Sequence, residues 1–193
     1  MKKGFTLIEL LVVIAILAVL MSVIVVTLNP AEMLKKTRDT KRIADLDAVR
    51  TAINLYITDQ GSLPTSGITL GTCYLSTTTT QNMPTSICST STGTSNPQSI
   101  TNSGWVPINF TSISSGAPLS SLPLDPSNAV GDNSTGPSGW HFYIFKGNSS
   151  SSTYKLMANM ESSYYSYGGA GDVESKDGGS TSTLYEVGSD LGL

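Results

Sequence analysis

The residue whose chemistry most needs explaining is Glu9. It is the one charged side chain in residues 5–28, which read FTLIELLVVIAILAVLMSVIVVTL. A carboxylate among aliphatic neighbours is costly in hydrocarbon unless it is paired. Thr6-Leu7-Ile8-Glu9 fits the S/T-x-x-E capping box, in which the glutamate satisfies free amides at a helix start. A second reading, compatible with the first, is an ion pair with a cation from outside the segment. The other chemistry-bearing residues are few. Cys73 and Cys88 stand 15 apart, and in an exported domain a disulfide is the default for such a pair. Two cysteines and a distant lone histidine do not make a metal or redox site. That histidine, His141, lies in the aromatic stretch WHFYIF and reads as a strand residue rather than a general base. No nucleophile elbow, phosphate loop or paired metal motif occurs, so the chain is read as carrying no reaction of its own. One acidic, glycine-rich loop, residues 168–179, offers Asp172, Glu174 and Asp177 as oxygen ligands for calcium. Its spacing is not that of an EF-hand, and Lys176 opposes a cation. A solvated turn is the alternative. Asn109, Asn133 and Asn148 begin N-x-S/T sequons, which carry little weight in a chain with 52 serines and threonines.

The elements that position these residues begin with the apolar run. As a helix, its 24 residues rise ~36 Å, enough to cross a ~30 Å hydrocarbon core. A soluble core helix would need polar positions at a 3.6 period, yet only Thr6, Glu9, Ser22 and Thr27 are polar. A secretory signal has a shorter apolar region, ~7–15 residues, closed by small residues. Here the small residue, Gly4, stands before the run, so cleavage there keeps the helix. The rest of the chain is sparsely charged: from Gly61 onward there are three lysines and eight acids. Bulk binding of nucleic acid, which requires clustered Lys and Arg, is not expected.

Lys2-Lys3-Gly4 followed by Phe5-Thr6-Leu7-Ile8-Glu9-Leu10-Leu11-Val12 resembles the processing site of type IV pilins and of the pseudopilins of type II secretion. The resemblance implies that a prepilin peptidase cuts between Gly4 and Phe5 and that Phe5 is N-methylated, leaving 189 of the 193 residues. It also supplies a cation for Glu9: the Phe5 amine of a neighbouring subunit in a helical homopolymer. The implied partners are therefore other copies of the chain, the peptidase, and the pilus or secretion assembly machinery in the membrane. The implied location is single-pass in the cytoplasmic membrane before assembly and an extracellular filament after it. No cofactor is implied beyond the calcium reading of the 168–179 loop.

Asn29-Pro30-Ala31-Glu32 interrupts the helix, by a kink or by the start of a second one capped around Pro30. Ile43, Leu46, Val49, Ile53 and Tyr56, with Ile57 alongside, recur at three and four residues and predict an amphipathic helix that packs on its own domain. Lys35, Lys36, Arg38, Lys41 and Arg42 follow the apolar run. They are read either as a solvated face or as charges that pair between subunits. Positive residues here favour a cytoplasmic side, whereas the leader resemblance favours export, and the reading sides with export. Tyr56-x-x-Asp59-x-Gly61-x-x-Pro64-Thr65 resembles the end of the stalk helix in pseudopilins and some pilins. Residues 66–138 read as an irregular Ser/Thr-rich region with apolar anchors, followed by strands at 140–145, 154–160 and 183–187. That order, after the Leu122-Pro123-Leu124-Asp125-Pro126 turn, resembles the small sheet of pseudopilins. The expected architecture is α+β and pilin-like, a long N-terminal helix on a small antiparallel sheet. It divides into a leader (1–4), an assembly helix (5–28), a stalk helix (29–59) and an extracytoplasmic domain (60–193).

Overall fold

The computed structural model describes residues 4–81, 83–128 and 139–193. The expected leader residues Met1 to Lys3 and the Asn133 sequon lie outside them. Two helices come first: α1, Leu7–Leu28, and α2, Pro30–Gln60. Asn29 separates them with φ 40°, a left-handed conformation that ends α1. Its side chain accepts from the Glu32 amide and caps α2, with Pro30 at the first helical position. Proline is tolerated there because its missing N–H would have no partner anyway. Gly61, at φ 83°, closes α2, and its amide donates to the Ile57 carbonyl at 2.8 Å. A β-carbon is disfavoured at that φ, so glycine is the natural stop.

Five strands form one sheet: β1 (Thr72–Leu75), β2 (Thr90–Thr92), β3 (Ile144–Asn148), β4 (Thr153–Ala158) and β5 (Tyr185–Gly188). The order is β2-β1-β3-β4-β5. The β1–β2 pair is parallel and the others antiparallel. Both faces are covered. Tyr154, Leu156 and Ala158 of β4 join Leu46, Val49, Ile53 and Tyr56 of α2 in one core. Met157, one register position away, packs with Leu75, Trp140, Phe142 and the two cysteines in a second core. Alternate strand residues point to opposite faces. With both faces covered, β4 shows no clean polar alternation in its sequence.

The α+β, pilin-like arrangement is thus present, and the α2 stripe packs on its own domain as expected. The strand limits differ. Residues 140–143 precede β3, because its partner β4 ends at Ala158, opposite Tyr185 and one residue past the Ile144–Met157 pair. Tyr143 pairs instead with Ser76, whose hydroxyl accepts the Tyr143 amide at 2.7 Å. The 154–160 and 183–187 strands are Thr153–Ala158 and Tyr185–Gly188. The stalk helix runs one residue past 59. The sheet has five strands rather than about three, because β1 and β2 lie within the region read as irregular. Their Thr-Cys-Tyr-Leu and Thr-Ser-Thr sequences are too short to show a period.

Candidate assembly segment and the charge cluster beneath it

Every described side chain from Phe5 to Ile24 is solvent-exposed on this single chain, and Phe5 is 86% exposed. The described part of α1 is therefore an apolar rod whose side chains face outward. Leu7–Ile24 is long and apolar enough to cross a membrane. Gly4 precedes it, exposed, with nothing within 4 Å of where a β-carbon would stand.

Glu9 forms the expected capping box. The Thr6 amide and hydroxyl donate to Glu9 Oε2 at 2.9 and 2.7 Å, and the Glu9 amide donates to Thr6 Oγ1 at 3.3 Å. Oε1 takes no hydrogen bond among the described residues, so one carboxylate oxygen remains for a further donor. Because Phe5 is still in peptide linkage here, the amine expected to pair with Glu9 exists only after cleavage.

Below α1, the basic residues of α2 divide. Arg42 is fully buried. Its guanidinium donates to Asp39 Oδ1 at 2.7 Å, to Asp125 Oδ2 and Oδ1 at 2.6 and 2.8 Å, to Ser127 Oγ at 3.0 Å, and to Glu161. Arg38 forks onto Glu161 through Nε, at 3.1 and 3.2 Å, and Nη2. Asp39 in turn accepts the amides of Glu161 and Ser162 at 2.9 and 2.8 Å. One turn of α2 is thereby tied to the Asp125 loop and to the chain leaving β4. Burial pushes both the Asp125 and Glu161 carboxyls up, but the hydrogen bonds and charge of the arginines outweigh it. Asp125 ends below its ordinary value, and Glu161 falls to about 2. Asp125, His141 and Glu161 also place ligand-type atoms within 4.8 Å of one another. Arg42 already occupies both carboxylates, so the cluster is built around a guanidinium. His141 lies beside it, Nδ1 3.6 Å from Glu161 Oε1, and not in a strand. The sequence offered solvation or pairing between subunits for Arg38 and Arg42, and the structure corrects both to pairing within the chain. The legible signal was the Asp39–Arg42 spacing. The partners Asp125 and Glu161, 83 and 119 residues away from Arg42, gave none.

Residues 1–25 match the family model of the prokaryotic N-terminal methylation motif. The chain opens with a prepilin-type methylation motif. Neither a curated protein nor a solved structure matches the chain. The motif is the cleavage and methylation signal of type IV pilins and pseudopilins. It implies processing by a prepilin peptidase and, with the apolar α1, anchoring in a membrane before assembly. Such a motif belongs with structural subunits rather than enzymes.

Behind the prepilin motif, the remaining expected residues fall as follows. Cys73 and Cys88 are joined as a disulfide, which ties β1 to the segment entering β2. Asp172, Glu174 and Asp177 are each turned onto backbone amides. Asp172 accepts from Gly168 and Ser175 at 2.8 and 3.0 Å. Glu174 accepts from Met160 and Tyr167, both at 2.9 Å. Asp177 accepts from Gly179 at 2.8 Å and Glu186 at 2.5 Å. Ser175 holds the Asp172 carboxyl down at about 2, while burial pushes those of Glu174 and Asp177 up. The three are not brought together as a ligand cluster among the described residues.

Proposed function

We propose that the chain is a structural subunit of a type IV pilus-like filament. After cleavage between Gly4 and Phe5, α1 leaves the lipid and packs with the α1 helices of other copies. The observation that carries this reading is α1 itself, an apolar rod behind a prepilin motif, exposed at every described side chain from Phe5 to Ile24 and marked by one carboxylate. Moving apolar helices from lipid to a helix bundle gains little hydrophobic energy. Close packing and the pair between Glu9 and the Phe5 amine supply the specificity. A non-polymerising anchor would need that carboxylate only for the helix cap, and the cap leaves Oε1 unused among the described residues. The role of pseudopilin in a type II secretion system is supported by the stalk end, where buried Tyr56 and the Gly61 cap recur in the expected pattern. The pilus is preferred because the hydroxyl-rich, sparsely charged domain suits the outer surface of a long fibre.

The test is Glu9→Ala. The variant is still cleaved after Gly4 but assembles no filaments, as seen by imaging cells and sequencing the fibre subunit. Normal filaments from Glu9→Ala would overturn the proposal.

A further inference from the structure

Near the start of α2 a tyrosine-bearing turn, residues 163–171, is packed against the helix. The Ser163 amide and hydroxyl donate to Glu32 Oε1 at 2.5 and 2.8 Å. Lys36 Nζ stands 3.7 Å from the centre of the Tyr164 ring. Tyr164 and Tyr165 meet edge to face at 4.9 Å. The turn is built rather than loose. The Gly171 amide donates to the Tyr164 carbonyl at 2.9 Å, and a β-carbon on Gly171 would lie 2.1 Å from the Tyr164 ring. Asp172 and Glu174 grip its Gly168 and Tyr167 amides. Yet this scaffold presents its rings outward: Tyr164 is 38% exposed and Tyr167 67%. Neither hydroxyl makes a hydrogen bond among the described residues.

The position of the turn says what it faces. The 22 residues of α1 rise ~33 Å, which matches a ~30 Å hydrocarbon core. Lys36 is seven residues beyond Asn29, so it stands at most ~10 Å of helix from the end of α1. The polar layer on each side of the core is ~5–7 Å deep. Tyr164, bound to Lys36, is therefore held within or just beyond the headgroup layer while α1 is in the bilayer, and the ~6 Å reach of a lysine side chain spans what remains. Amphipathic tyrosine rings favour that layer. The charge agrees: Lys36 has no carboxylate within salt-bridge distance among the described residues, and Lys35 has only a distant one, Glu32 at 4.0 Å. Both ammonium groups have long apolar stems that let them reach phosphates while lying on the surface.

We propose that this turn, with Lys35 and Lys36, is a docking surface for the anionic phospholipid headgroups of the membrane that holds α1. It rests on the reading that α1 spans the bilayer before assembly. Tyr164 and Tyr167 insert at the interface, the lysines pair with lipid phosphates, and the domain is held against the membrane until α1 is withdrawn.

The test uses the full chain in vesicles of phosphatidylglycerol and phosphatidylethanolamine, with spin-labelled lipids as quenchers. Two variants are made, Tyr167→Trp and Val13→Trp, each read as the difference from the parent, whose Trp105 and Trp140 are buried. Quenching of the added indole by shallow labels in Tyr167→Trp, and by deep labels in Val13→Trp, supports the proposal. So does a docked-to-undocked ratio that falls about fivefold per lysine when Lys35→Gln and Lys36→Gln are combined with Tyr167→Trp. Quenching in Val13→Trp without quenching in Tyr167→Trp overturns the docking while leaving the spanning helix intact. No quenching in either variant overturns the spanning reading and the docking with it. Equal quenching of Tyr167→Trp in vesicles without phosphatidylglycerol overturns the anionic-lipid assignment. A signal that arises only at high protein density shows that a second copy covers the turn, and overturns it as well.

Discussion

Replacing Arg42 with methionine probes the cluster that fastens the stalk to the domain. In the parent, one buried guanidinium faces Asp39, Asp125 and Glu161, whose side chains are 0%, 1% and 10% exposed. Methionine fills much of the volume but leaves those carboxylates without their central cation. Removing one partner of a buried pair costs about 3–5 kcal/mol, and the loss falls toward the lower end where Arg38 still holds Glu161. At roughly 2–4 °C per kcal/mol for a chain of this size, the unfolding midpoint falls by about 6–20 °C. The assay is chemical or thermal unfolding of the full chain in detergent, followed by emission from buried Trp105 and Trp140. The pH dependence gives a sharper test. A carboxyl held low in the fold contributes stability that is fully present above its ordinary value and is lost as pH falls through the folded value. Glu161, moved from 4.5 to about 2, accounts for about 3 kcal/mol on this basis, and Asp125 acts in the same direction. The parent should therefore lose stability between about pH 5 and 2. In Arg42→Met, burial no longer opposed by Arg42 raises the stranded carboxyls, so their protonation begins at higher pH than in the parent and the gap between the two proteins narrows as pH falls. A gap under about 1 kcal/mol at pH 7, or one that pH does not change, would refute the reasoning.

Cys73→Ser, which opens the disulfide closing a separation of 15 residues, should cost about 3 kcal/mol. Non-reducing mass spectrometry of the exported parent should find no free thiol, and two free thiols would remove the bond from the account. Added calcium or a chelator should leave the unfolding midpoint unchanged, because Asp172, Glu174 and Asp177 already accept backbone amides. A midpoint that rises with calcium would assign the ion to the 168–179 loop instead.

The helical half of the fold was legible because its signals are local. Thr6 and Glu9 cap one helix, Asn29 and Pro30 cap the next, and Gly61 stops it, each within four residues of what it caps. The Leu46, Val49, Ile53 and Tyr56 stripe announced a covered face. The sheet was only partly legible. β1 and β2 are four and three residues long, and β2 pairs in parallel through a connection that no turn motif marks. Trp140 and Phe142 are strand-like residues used as core anchors instead. The charge cluster was hidden for a related reason. Arg42 looked like one of five basic residues on a helix face, and only long-range packing separates it from exposed Lys41. The acidic loop left calcium and a solvated turn both open, because carboxylates that ligate an ion and carboxylates that grip amides look alike in sequence.

The most direct test of the central claim is mass spectrometric analysis of the N-terminus of the exported protein. The expected chain begins at N-methylated Phe5, with residues 1–4 gone. An exported chain that retains Met1, or that is cut beyond α1, would contradict it.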